Sequence, residues 1–411
     1  MASDVEVWID WNGLRRVGLL RRSPGSGRER VAFTYDPAWL DDPKSFSLTP
    51  DLPLGRGGYT PPAGQEMIPV LGDSAPDRWG RNVMKRFEGR QARAEGRTEK
   101  GFHETDFLLG VTDETRLGAL RFKVDGVFQS PQGIGVRVMV NLGSLRAAAQ
   151  RGLRGEETDE DLQILFAPGS SLGGARPKAS VRDNNGVMSI AKFPKDDDHY
   201  SVERWEAIAL DMACEAGIRT ASHELHHVDD QIVFLSHRFD RNGEGGRIPF
   251  VSALAMLNGR DGENYSYIDL ADIIASNSVE PEEDWQELFR RVAFSILIRN
   301  ADDHMRNHGF VRTAGGWRLS PAYDINPEPS GLVLRSFVSE DNPDASIELL
   351  RDSAEDYMVK GSRADEIILE VANVTCHWRE FARRYQAPAS EITRMAGAFE
   401  HEELERALNL A

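Results

Sequence analysis

Cysteine is scarce in this 411-residue chain: only Cys214 and Cys376 occur. Two cysteines exclude a disulfide framework and a cysteine-built zinc module, and they fit a reducing compartment. Long apolar runs are also missing, none approaching the ~20 residues of a membrane-spanning helix. The opening residues, MASDVEVWIDWNG, have neither a basic nor an apolar stretch, so no secretory signal is expected there. Basic charge is in deficit: 49 Lys and Arg against 66 Asp and Glu leave a net charge of −17. Such a surface repels phosphate backbones, which argues against sequence-independent nucleic-acid binding by the whole chain. With 40% hydrophobic residues and no repeat or low-complexity segment, the composition predicts a soluble, cytoplasmic, globular protein. At about 150 residues per domain the length allows two or three domains.

Three regions are expected: 1–125, 126–250 and 251–411. In the first, VEVWIDW, RVGLL and RVAFTY alternate with Pro/Gly breaks and predict a small sheet, followed by a helix within DRWGRNVMKRF. In the second, KASVRD and GVMSIAKF flank Asn184-Asn185-Gly186, a strong hairpin signal. Trp205, Ile208, Ala209, Met212 and Ala213 recur at helical spacing, and Gly217 lies where such a helix would stop. HELHHVDDQIVFLSHRFDR then reads as strands ending in a connector. In the third, Trp285, Leu288, Phe289, Val292, Ala293, Ile296 and Leu297 form a wide apolar stripe, so a packed helix delivers Asn300 and ADDHMRN at its C-terminal end. A Gly-Gly hairpin and PAYDINP follow, and the remainder has a helical pattern.

Four features carry chemistry. The Gly/Ser stretch Gly169 to Lys178 contains Gly173 and Gly174, which let backbone N–H groups approach phosphates. It does not match the P-loop pattern, and a surface turn accounts for it equally well in isolation. Lys192, in the return strand of the hairpin, is costly to bury unless paired, and its place beneath the loop suits α/β-phosphates. A lysine on a solvated strand face is the plain alternative. Glu203 and Glu206 on the next helix are its candidate partners, Glu206 lying at the edge of the apolar face. The fourth feature is Asp302-Asp303-His304-Met305-Arg306-Asn307 with Asp324 downstream: D-x-x-x-x-N, a hairpin, then an Asp. Phosphoryl transfer needs a carboxylate near the acceptor hydroxyl and a few oxygen ligands for Mg²⁺ on the phosphates. Asp302, Asn307 and Asp324 supply that inventory. A polar helix-capping loop explains the first motif alone, but not all four features in kinase order.

His223-Glu224-Leu225-His226-His227 matches H-E-x-x-H literally. Zinc binding requires that motif on a helix, whereas this one follows a helix stop and enters a strand-like run. In a strand its histidines lie ~13 Å apart at ~3.3 Å per residue, too far to share an ion. The basic run Arg78 to Arg97 reads better as a solvated helix face than as a nucleic-acid or acidic-partner contact.

On GDSAPDRWGR, GSSLGGARPKA, IAKFP, the helix with Glu206, SHRFDR, IRNADDHMRN and LSPAYDINP, the sequence resembles the HipA family, serine/threonine-kinase toxins of bacterial toxin–antitoxin modules. The pieces span about residues 70 to 330 in the family's order. The resemblance implies an α+β, bilobal, protein-kinase-like core with a small β-rich N-terminal subdomain and a mostly helical C-lobe. It implies Asp302 as catalytic base, Asn307 and Asp324 as Mg²⁺ ligands, and Lys192 on the ATP phosphates. It places Ser171, Leu172, Gly173, Gly174, Ala175, Lys178, Glu206, Asp240, His304 and Tyr323 around ATP as well, with backbone groups of His237 and Phe239 reading adenine. Ser171, or the adjacent Ser170, falls at the serine whose autophosphorylation inactivates family members; a dianion in a phosphate cradle adds like-charge repulsion. An aminoacyl-tRNA synthetase, typically glutamyl, is the implied protein substrate. A HipB-like helix-turn-helix antitoxin is the implied partner, with operator DNA contacted mainly through it and no membrane involved. Asp303 stands where the family commonly has a small residue, and the spacing to Asn307 favours Asp302 as the base. A small-molecule or lipid kinase, or an inactive kinase-like scaffold for an antitoxin and DNA, are the competing readings.

Overall fold

Strand β1 (Val5–Asp10) alternates buried Val5, Val7 and Ile9 with half-buried Glu6, Trp8 and Asp10, the period-two pattern of a sheet with one face on a core. The computed structural model describes residues 4–24, 28–130, 137–138, 142–165, 176–183, 185–243, 245–331 and 333–410. Its contacts divide the chain into two units, Met1–Asp196 with His227–Arg260, and Asp197–His226 with Asp261–Ala411.

In the first unit β1 pairs antiparallel with β2 (Leu14–Pro24) and β5 (Leu120–Val124), within a sheet that also holds β3 (Glu29–Tyr35), β4 (Gly58–Tyr59) and β6 (Val127–Phe128). The sheet order is β4-β3-β2-β1-β5-β6. Helices α1 (Pro37–Asp41), α2 (Pro69–Gly72), α3 (Arg78–Glu95) and α4 (Glu104–Leu109) lie between β3 and β5 in sequence. Much of the basic run from Arg78 to Arg97 is neutralised within the unit: Arg81 pairs with Glu104, Arg86 with Glu157, Arg90 with Asp159 and Arg97 with Glu88. After β7 (Arg137–Val138), α5 (Leu142–Arg154) and α6 (Asp159–Leu165) comes the expected hairpin. Its strands β8 (Lys178–Arg182) and β9 (Met188–Lys192) pair antiparallel, with Gly186 at φ 88 in the turn.

Helix α7 (Val202–Glu215) falls in the second unit. Ser201 caps it, and Gly217 at φ 84 takes the left-handed conformation after its end. β10 (His223–Val228) carries the chain back to the first unit; HELHH is therefore a strand, without the helical register that H-E-x-x-H requires. No cluster of three or more His, Cys, Asp or Glu suited to a metal occurs among the described residues. β11 (Gln231–His237) pairs with β9, and β12 (Phe250–Ser252) leads into α8 (Ala253–Met256).

The second unit is helical: α9 (Tyr267–Asn277), α10 (Pro281–Leu297), α11 (Ile347–Asp352), α12 (Gly361–Thr375), α13 (Trp378–Arg384), α14 (Ala389–Phe399) and α15 (Glu402–Leu408), with one hairpin of β13 (Gly309–Arg312) and β14 (Trp317–Leu319). α10 is buried beyond its apolar stripe: Asp284, Glu287, Arg290 and Arg291 are enclosed too. Each finds partners, as buried charges must. Arg291 pairs with Glu287, and Asp284 accepts from Leu319 N at 2.9 Å and from Ser278 Oγ at 2.6 Å. Trp378 stacks on Phe399, ring centroids 4.7 Å apart, closing the C-terminal core. No helix of the described residues is long and apolar enough to cross a membrane.

Candidate active site

α10 ends at Leu297, and Arg299 turns the chain in a left-handed conformation (φ 52). Asn300 folds back, its N–H donating to Ser295 O at 2.8 Å. Its buried side chain accepts from Asn326 N at 3.1 Å, tying the helix end to the segment after Asp324. The loop from Asp302 to Asn307 is closed by His304 N to Asp302 O (2.9 Å) and Asn307 N to His304 O (2.8 Å). Tyr323 donates its hydroxyl to Arg306 O at 2.6 Å, joining this loop to the Asp324 segment.

The adjacent aspartates have opposite surroundings. Asp303 is buried; Oδ2 accepts from Tyr267 OH at 2.7 Å and Ser295 Oγ at 3.0 Å, and Oδ1 lies 3.0 Å from His308 Nε2. Burial opposes its charge, but His308, Tyr267 and Ser295 together outweigh that and hold its carboxyl below the usual range. Asp302 is exposed. Its carboxyl is held above the usual range, first by solvent lost on its protein-facing side and then by the charges of Asp324 and Asp303; His304 and Arg335 pull the other way. Asp303 is thus engaged from three sides by protein, and Asp302 is the aspartate open to solvent.

Asp324 adopts φ 58, a conformation uncommon outside glycine, and Asn326 Nδ2 lies 3.3 Å from its Oδ1. Asn307 Nδ2 donates to Asp302 O at 3.2 Å, while its buried Oδ1 has no hydrogen-bond partner among the described residues. The same holds for Asn326 Oδ1 and His304 Nδ1. An unpartnered buried amide oxygen costs roughly 1–3 kcal/mol. An amide oxygen and a carboxylate such as that of Asp324 are the kinds of donor that Mg²⁺ takes with phosphate and water, so these residues fit the ion. The sequence reading missed Asn326; its signal was the D-x-N spacing after Asp324.

Lys178, Lys192 and His237, which the resemblance assigns to the nucleotide, lie on strands of one sheet in the first unit. Lys178 and Lys192 are direct cross-strand partners in the β8–β9 register, and Lys192 Nζ sits 5.6 Å from the Phe234 ring. Lys178 Nζ pairs with Asp77 Oδ2 at 2.9 Å. His237 opposes Ser189, whose Oγ lies 3.3 Å from His237 Nδ1, and Phe239 packs near Phe250 at 5.7 Å. Asp240 is buried against Arg238, Arg241 at 2.9 Å and Gly118 N at 2.6 Å. Burial opposes its charge, and those partners overcome it, leaving the carboxyl far below the usual range. Glu203 and Glu206 are buried on α7. Ser170, Ser171, Leu172, Gly173, Gly174 and Ala175 lie outside the described residues.

The sheet-bearing first unit and helical second unit make an α+β, kinase-like fold, the class expected from the sequence. Residues 5–123 match the model of the HipA N-terminal domain and residues 170–399 that of the HipA-like C-terminal domain. The chain belongs to the HipA family. It is 27% identical over 170 residues to Toxin YjjJ of Escherichia coli, covering 39% of this chain and 38% of that protein. A putative kinase of Haemophilus influenzae is 25% identical over 150 residues, 33% of this chain and 43% of that one. The alignments therefore span less than half the length of these curated relatives. HipA from Shewanella oneidensis MR-1, solved with HipB and operator DNA, shares the fold at a TM-score of 0.69, with 18% identity over 99% of this chain and 96% of that one.

Proposed function

We propose that the chain is an ATP-dependent serine/threonine-protein kinase acting as the toxin of a toxin–antitoxin pair. The observation that carries this reading is the loop geometry. An open aspartate, Asp302, feels the charge of Asp324, and Asn307, whose amide donates to the Asp302 carbonyl, keeps a buried oxygen without a hydrogen-bond partner among the described residues. Asp302 accepts the proton of the acceptor hydroxyl, the step a positioned carboxylate performs in phosphoryl transfer. Asn307 and Asp324 hold Mg²⁺, which when bound neutralises charge on the phosphates. By the family resemblance Lys178 and Lys192 would steady those phosphates, and backbone groups of His237 and Phe239 would read the adenine. Asp303 keeps the loop rigid without touching substrate.

By family resemblance the protein substrate is an aminoacyl-tRNA synthetase of glutamyl type, whose phosphorylation would block translation. Ser171, or Ser170, is the autophosphorylated serine. The Shewanella HipA complex supports a HipB-like antitoxin as partner. With a net charge of −17 here, operator DNA is met mainly through that antitoxin.

Intact-mass measurement after incubation with Mg²⁺ and ATP tests the reading: one added phosphate, mapped to Ser171 or Ser170, is expected, and none in Asp302→Asn. Phosphoproteomics after expression of both forms then names the target. An unmodified protein and an unchanged phosphoproteome would leave the binding-scaffold reading standing; phosphate transferred to small molecules or lipid alone would favour the other kinase class.

A further inference from the structure

The segment GDSAPDRWGR lies in the N-terminal domain and takes no part in the chemistry above, yet it holds one of the two lysines. Asp77 caps α3, Oδ1 accepting from Gly80 N at 2.9 Å, while Oδ2 receives the Lys178 ammonium at 2.9 Å. Both side chains are only 8% exposed. Two residues on, Trp79 Nε1 donates to the Lys178 carbonyl at 3.2 Å. Lys178 is thus gripped at side chain and backbone by one turn of another domain. The segment itself is anchored, Asp73 accepting from Ser252 N and Ser252 Oγ, each at 2.8 Å.

This grip answers an electrostatic problem. Lys178 and Lys192 face each other across β8 and β9, and direct cross-strand residues share a face of the sheet. Like charges so placed repel, and a lysine left to itself turns its ammonium to water. The Asp77 carboxylate offsets one positive charge of the two. An ammonium carries three N–H donors, a number suited to meeting a carboxylate and phosphate oxygens together. Holding Lys178 in place before the ligand arrives removes the entropy loss of ordering it on binding.

We propose that Asp77 is a positioning residue for the nucleotide: it acts through Lys178 and makes the N-terminal domain part of the phosphate-binding apparatus. The inference rests on the kinase reading of Lys178 and Lys192. Asp77→Ser tests it, because serine caps a helix as well as aspartate but is too short to reach the ammonium. Affinity for Mg²⁺·AMP-PNP is read by calorimetry, and the rate of phosphoryl transfer at saturating ATP by intact mass. We expect the dissociation constant to rise about tenfold, the scale on which supporting groups act on the ligand they orient. The saturated rate stays within about twofold of wild type.

The same substitution in a Lys178→Met background should change affinity by less than about twofold, since there is no ammonium left to hold. An unchanged or tighter dissociation constant in Asp77→Ser overturns the proposal. So does an equal loss in both backgrounds, which is the mark of general structural damage. If Asp77→Ser does not fold, Asp77→Asn, which keeps the cap and removes the charge, is read by the same criteria. A wild-type protein that fails to bind the analogue would bring down the kinase reading first; normal wild-type binding with an indifferent Asp77 brings down this inference alone.

Discussion

Tyr267, the first residue of α9, donates its hydroxyl to Asp303 Oδ2 at 2.7 Å, so a helix more than thirty residues upstream supports the loop that presents Asp302. Ser295 from α10 and His308 at the entry to β13 complete the support. Ser336 Oγ also donates to the Asp303 carbonyl at 2.6 Å. Such a satisfied buried network rigidifies the loop, which is what a positioned carboxylate next door requires.

Asp303 should leave a signature in acid. Its folded pKa is lowered from the ordinary 3.8, so its contribution to stability is full above that value and is lost as the pH falls through the folded one. Urea unfolding midpoints between about pH 3 and pH 7 should drop more steeply for wild type than for Asp303→Asn at the acid end. Parallel curves would mean that the carboxylate is not held in its charged form.

Asp302→Asn should separate function from stability. The ionised Asp302 carboxylate is disfavoured by lost solvent and by Asp324 and Asp303, so removing its charge relieves the fold at neutral pH. Phosphoryl transfer should vanish while the melting temperature stays level or rises. A clear fall in melting temperature would show the side chain to be a structural support.

Asp240→Ala should fail as a folded protein before it fails as a nucleotide binder. Removing one member of a buried ion pair costs roughly 3–5 kcal/mol, because the remaining charges lose their partner. Here Arg238 and Arg241 would be left facing each other, with the Gly118 N–H unsatisfied. A urea midpoint close to wild type, combined with weakened ATP binding, would favour the nucleotide role that the resemblance implies for Asp240.

Much of the local architecture could be read before any coordinates. The Asn-Gly turn between β8 and β9, the stop at Gly217 after α7, the apolar stripe of α10 and the Gly-Gly hairpin of β13 and β14 all stand where their patterns placed them. These signals depend on side-chain periodicity and turn chemistry over a few neighbouring residues. The loop Asp302 to Asn307 was legible for the same reason: its spacing is local. HELHH shows the limit of a bare motif, since strand geometry at β10 removes the helical spacing that its letters suggest.

By itself, then, the sequence determined the elements, the order of the chemistry-bearing segments and the family they resemble. Tertiary structure alone decided what each charged group does. Asp303 is a buried support because Tyr267, Ser295 and His308 converge on it; Asp240 is an ion-pair node because Gly118, Arg238 and Arg241 surround it; Lys178 is held because Asp77 reaches it from another domain. Burial and neighbouring charge set whether a carboxylate or ammonium is structural or available. Both are properties of segments distant in the chain and adjacent only in the fold.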